Sequence, residues 1–228
     1  MVGEAGDDPD NLGRVCMECV VPRARDPFSL ALGDIRHRVT EGVYGPGAAV
    51  VIIDEARRLN LSTTPVREAL AWLCGEGLLE RAPRAGYLAP RLDAALLRDR
   101  FWLRLRALAT SLELTADLAV TAAPDGDAAG ELAVRDLFDR LVRATGNRAL
   151  VETFRRVDAQ LRMLGDAESR VFGDAAEEAL ELGRVETAGS RLQLATAIEA
   201  YHRRRMDNAA VLVLEAERRR PRPPDGAA

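Results

Sequence analysis

The sequence predicts a mainly α protein, an N-terminal winged helix-turn-helix followed by an all-α helical bundle. Three observations carry this. Short helical periodicities and a pair of strand-like runs precede Pro90, almost no strand signal follows it, and the second half is alanine-rich and leucine-rich over long stretches.

In order along the chain, Leu32, Ile35 and Val39 recur at helical spacing over 28–40, and Gly42 with the GPG at 45–47 ends that helix. AVVII at 49–53 reads as a strand leading into a short second helix over 54–59. The third helix opens at TPVREAL. Thr64 can cap it, and Pro65 suits a first turn, where a missing N–H has no partner to lose. Its buried stripe is Val66, Leu70, Leu73 and Cys74, and Gly75 and Gly77 close it. LLERAPRAGYLAP then reads as two strands joined by a turn at Arg84, Ala85 and Gly86. Beyond Pro90, helices are expected over 93–122, 127–145, 148–164, 174–183, 186–205 and 207–220. The segment FWLRLRALATSLELTADLAV has enough apolar residues to face both a core and a second subunit. The predicted division is an acidic tail over 1–24, a winged helix over 25–91, an all-α domain over 92–220 and a tail over 221–228. Both polar ends read as disordered.

With 228 residues and 47% hydrophobic content the chain can bury a sizeable core. No apolar run approaches the roughly 20 residues that span a bilayer. The opening MVGEAGDDPDNLGR is acidic where a secretory signal is basic and then apolar, so a cytoplasmic protein with no membrane partner is expected. A net charge of −4 argues against indiscriminate coating of nucleic acid. It leaves local binding open, because residues 1–24 hold five acids and two arginines while 25–95 hold nine of each. Cys16, Cys19 and Cys74 are an odd, sparse set, unlike a disulfide framework. CMEC has the CxxC spacing of redox and zinc sites, but a closed zinc site needs four ligands and this is a lone copy. With no nucleophile–base pair or phosphate loop, and two histidines in different predicted domains, an enzyme is not expected.

In a winged helix-turn-helix the third helix enters the major groove with its N-terminus leading, which places Ser62, Thr63, Thr64 and Arg67 toward DNA. A guanidinium can take the O6 and N7 acceptors of guanine, while hydroxyls and free helix N–H groups suit phosphate oxygens. Arg84 in the wing is a candidate minor-groove or phosphate contact, and Gly86 a candidate turn residue. The competing readings are an Arg67 paired with a nearby acid and a winged helix that binds protein.

The stretch 35–43, the Pro-Gly at 46–47, STTPVREAL and EGLLERAPRAGY together resemble the GntR family of bacterial transcription regulators. The second half is similar to the FadR-like branch, with its FCD-type all-α effector domain. The branch's Ala-Ser-Gly-Asn signature reads Ala144, Thr145, Gly146, Asn147 here, and its late signature is matched by SRLQLATAI at 190–198. The resemblance implies a ligand-responsive repressor that acts as a homodimer on a pseudo-palindromic operator. The alternative is a degenerate effector domain that serves only dimerisation or protein interaction. One departure is Thr63, where family members often have arginine. A larger one concerns the divalent metal that many relatives hold through one Asp and three His residues. The corresponding positions fall on Val134 and Phe138, or on Arg135 and Asp139 with a slip of one, then on Arg191 and on Glu217 or Arg218. No cofactor and no metal are therefore expected. Asp139 and Arg191 are the candidate effector residues, either as an ion pair in the metal's place, or with Arg191 gripping a small anionic effector, or as two surface charges. His202, within YHRRR, is expected on a helix surface.

Overall fold

The computed structural model describes residues 26–82, 86–116 and 131–218. The expected tails, the CMEC cysteines, Arg84 and the stretch 117–130 lie outside these. Helix α1 spans Pro27–Thr40, with Asp26 accepting the Ser29 N–H as its cap. Strand β1 is Ala49–Val50 and α2 is Ile52–Leu59. The predicted strand AVVII is thus split: Ile52 and Ile53 enter the helix, whose first turn carries Asp54 and Glu55, acids that favour a helix N-terminus. Asn60, in the left-handed region at φ 54°, turns the chain toward α3, Thr63–Gly75. Ser62, not Thr64, holds the N-cap position, so Pro65 is the third helical residue, still among the N–H groups that have no partner. Strands β2, Glu80–Ala82, and β3, Gly86–Leu88, complete a three-stranded antiparallel sheet in the order β1-β3-β2. Gly86 is the first residue of β3, opposite Ala82, rather than a turn residue.

The all-α half contains α4 (Ala94–Leu114), α5 (Glu131–Arg143), α6 (Arg148–Leu161), a 3₁₀ turn at Arg162–Leu164, α7 (Ala167–Val171), α8 (Ala175–Ala188), α9 (Arg191–Asp207) and α10 (Ala209–Arg218). Two expectations are corrected here. The sequence reading had no α7, and it ended α8 near Gly183. The helix continues through that glycine, a tolerated cost of about 1 kcal/mol, and stops at Gly189. The next helix starts there because Ser190 and Gln193 form a reciprocal capping box.

The winged helix and the bundle share one core. Ile35, Val66, Leu70 and Leu73 belong to the same buried cluster as Leu97 and Phe101 of α4, Leu161 of α6 and Leu212 of α10. A second cluster fills the far side of the bundle, around Leu108, Phe138, Leu182, Ile198 and Tyr201. Gly77, at φ +72°, ends the turn after α3, and beside it the Gln160 side chain of α6 donates to the Glu76 carbonyl at 2.6 Å.

Candidate nucleic-acid interface and the helical domain behind it

The outward face of α3 is set by its inward one. Val66, Ala69, Leu70 and Leu73 are completely buried, a helical stripe that fixes the roll of the helix and turns Ser62, Thr63, Thr64 and Arg67 to solvent. Ser62 makes no side-chain cap bond, which leaves the N–H groups of the first turn and three hydroxyls together at one helix end. The Arg67 guanidinium has no ion pair or hydrogen bond among the described residues. Tyr87 of β3 donates its hydroxyl to the Arg67 carbonyl at 3.4 Å, tying sheet to helix. Between them runs a groove of about 520 Å³ lined by Thr63, Arg67, Gly86 and Tyr87. Three of the expected residues, Thr63, Arg67 and Gly86, therefore border one groove, with Ser62 and Thr64 exposed at the same helix end. The sequence reading missed its apolar rim, Val51 and Ile53, both exposed at the start of α2. Cys74 is partly buried against the core, and burial raises its thiol pKa.

Among the described residues, apolar side chains fill the bundle where the resembling branch keeps its metal. Val134 and Phe138, two positions where the resembling branch keeps metal ligands, are core residues. Phe138 packs against a buried Arg104, whose guanidinium carbon lies 5.3, 5.4 and 5.9 Å from the ring centres of Phe101, Phe138 and Tyr201. Arg104 Nε donates to His202 Nε2 at 3.1 Å and Nη1 to Asp158 Oδ1 at 3.1 Å. A buried cation needs such partners, since leaving it unpaired costs several kcal/mol.

His202 corrects an expectation. It is fully buried, not on a helix surface, because the face of α9 that carries Ile198, Tyr201, His202 and Arg205 points inward. Its Nδ1 lies 2.7 Å from the Ile198 carbonyl, so the hydrogen-bond network assigns the proton to Nδ1 and the lone pair to Nε2. Burial first, and then the Arg104 charge, push its pKa well below 6.5. With both ring nitrogens engaged, His202 has none to offer a metal. Among the described residues no three His, Cys, Asp or Glu side chains are grouped to hold one. These side chains do not fit the divalent ion of the resembling branch.

Asp139 and Arg191 are not brought together. Asp139 pairs with Arg143 at 3.2 Å and Arg155 at 3.4 Å, on the wall of a cleft that faces the winged helix. Arg191 instead reaches the end of α4, donating to the carbonyls of Leu112 at 2.6 Å and Thr115 at 2.5 Å and to the Thr115 hydroxyl at 3.1 Å. These carbonyls at a helix C-terminus attract a cation.

Fold and groove together define a winged helix-turn-helix protein with an all-α second domain. Residues 31–88, which span most of the winged helix, match the family described as bacterial regulatory proteins, gntR family. It is 34% identical over 84 residues to the HTH-type transcriptional regulator McbR of Escherichia coli strain K12, covering 35% of this chain and 38% of that protein. It is 30% identical over 132 residues to an HTH-type transcriptional regulator in the TAR-I ttuE-ttuC' intergenic region of Agrobacterium vitis, covering 58% and 60%. The chain thus spans less than two-thirds of either relative. The fold matches the structure of E. coli McbR with a TM-score of 0.59 at 20% identity, over 84% of this chain and 99% of that one. It matches a GntR protein of Rhodococcus sp. RHA1 at 0.60 and 17%, over 80% and 97%.

Proposed function

We propose that this protein is a transcriptional regulator, not an enzyme, that binds a pseudo-palindromic operator in the cytoplasm as a homodimer and represses until a small anionic effector shifts it. The observation that carries this is the exposed, unpaired Arg67 on the first turns of α3, beside the groove that separates it from the wing. The reading assigns Arg67 to a guanine, Ser62, Thr63 and Thr64 to phosphates, and Arg84 and Gly86 to the wing's contact with the backbone or minor groove. Dimerisation follows from the symmetry of such sites and is supported by Leu96, Trp102 and Leu103, all exposed on α4. No described helix is long and apolar enough to cross a membrane, which is consistent with the location.

The filled bundle favours a second reading of the all-α domain, in which it dimerises and admits no ligand to its interior. An effector would then act from outside the bundle. The test is anisotropy titration of upstream DNA with wild type and Arg67→Ala over a salt series. Loss of a guanine contact costs about 1–3 kcal/mol and relaxes preference at one base pair per half-site, whereas a phosphate contact weakens all sequences alike and lowers the salt slope by about one. Binding unchanged by the substitution refutes both.

A further inference from the structure

A cleft of about 780 Å³ lies where α1 and α3 of the winged helix face α5 and α6 of the bundle. An open groove of about 720 Å³ adjoins it, and Trp72, Glu76 and Arg156 line both. At that junction an indole, 56% exposed, stands on the C-terminal half of α3. Two contacts hold it in place. Phe28 packs edge-on against it with ring centres 6.1 Å apart, and its Nε1–H donates to Glu76 Oε1 at 2.8 Å. The same oxygen accepts from Arg36 Nη2 at 2.6 Å, so the carboxylate beside the indole is neutralised. Arg156 of α6, also lining this junction, is exposed and has no ion pair or hydrogen bond among the described residues.

We infer that this junction is a ligand site for an aromatic monocarboxylate, with the ring on Trp72 and the carboxylate on Arg156. This rests on the regulator reading above and names the class of its effector. An exposed ring held by packing and a hydrogen bond offers apolar area without ordering cost, and a ring–ring contact adds about 2- to 10-fold in affinity. A guanidinium with no acid to satisfy it presents a planar fork that matches a carboxylate in a bidentate contact. The five arginines and five acids that line the cleft balance in charge, which favours a ligand with one carboxylate over one with two. The site bridges the two domains. A ligand here touches α3 five residues, or about 7.5 Å along the axis, from Arg67, and binds α6 at the same time. It changes operator affinity only by the difference in its own affinity for the two arrangements of these helices.

The test uses the full chain, with the Trp72 N–H resonance told from that of Trp102, the other indole of the two in the sequence, by its loss in Trp72→Phe. This resonance, sensitive to the Glu76 hydrogen bond, is followed during titration with benzoate and salicylate, and with acetate and phenol as single-feature controls. Saturable movement is expected for the two aromatic carboxylates, with acetate and phenol about tenfold weaker or more. Arg156→Ala should weaken binding about 10- to 100-fold, as loss of a charge-assisted hydrogen bond does. No saturation with either aromatic carboxylate up to roughly 10 mM, where affinity is below about 3 kcal/mol, overturns the site. So does saturation that Arg156→Ala leaves unchanged. The readout contains no DNA. Failure here with operator binding intact refutes this inference alone, and ligand binding without operator binding refutes the regulator reading instead.

Discussion

Lowering the pH from 7 to 5 should destabilise this protein through His202. The histidine is fully buried, keeps its proton on Nδ1 toward Ile198, and offers its lone pair to Arg104. A second proton would have to sit on the nitrogen that faces a guanidinium, so the folded-state pKa lies well below 6.5. In the unfolded chain the ring titrates near 6.5. Below that value the unfolded state binds a proton that the folded state refuses, so stability falls with falling pH and is restored as the pH rises through 6.5. Proton uptake by the unfolded chain sets the upper bound on the loss between pH 7 and 5 at about 2 kcal/mol, and the limiting slope at the acid end at about 1.4 kcal/mol per pH unit. Urea unfolding at half-unit steps measures it. His202→Gln, which keeps an acceptor for Arg104 and does not titrate, should be less stable at pH 7 but should lose this slope. An equal slope in both proteins would refute a neutral His202 in the core.

Gly77→Ala should destabilise by about 2–3 kcal/mol in urea unfolding. A side chain at φ +72° costs about 1–2 kcal/mol, and the new Cβ would sit 2.6 Å from Gln160 Nε2, disturbing its bond to Glu76. Arg191→Ala should destabilise the free protein by about 1–3 kcal/mol in urea unfolding, through the lost bonds to the end of α4, and leave benzoate affinity unchanged. A loss of ligand response with no loss of stability would restore Arg191 as an effector anchor. Elemental analysis of purified protein should find no stoichiometric divalent metal, and chelator should change neither melting temperature nor operator affinity. One tightly held equivalent per protomer refutes the argument from Phe138 and His202.

The winged helix was legible because its signals are local. The stripe Val66, Leu70, Leu73 and the turn glycines around it need no knowledge of distant residues, and α1, α3 and the wing strands fall where they were expected. Ser190-x-x-Gln193 is the signature of a helix start, and the apolar periodicity that continues across it over 186–205 masks it. The polar core was hidden by a reading that equates apolar with buried. Leu97, Phe101, Arg104 and Leu108 follow one another at four, three and four residues, as do Ile198, Tyr201 or His202, and Arg205 at helical steps. Spacing alone places Arg104 and His202 inside. What spacing cannot give is which distant acid meets each buried cation, here Asp158 with Arg104 across 54 residues and Glu168 with Arg205 across 37. The Trp72 and Arg156 junction joins helices far apart in the chain, so only the folded arrangement reveals it.

Leu97, Phe101 and Leu212 lie in the same cluster as Ile35 and Leu73, so α4 runs out of the winged helix as a packed continuation of it rather than as a tether. Such a joint bends little. Within one subunit the reading head and the body should melt in a single transition, and a head cut away after Leu88 would expose an apolar face and aggregate. In the proposed homodimer, two heads joined this way change their separation mainly as whole subunits pivot against each other, with small shifts of α3 against α6 adding to it. The protein would then behave as a pair of calipers, whose jaws move because the arms turn at the rivet.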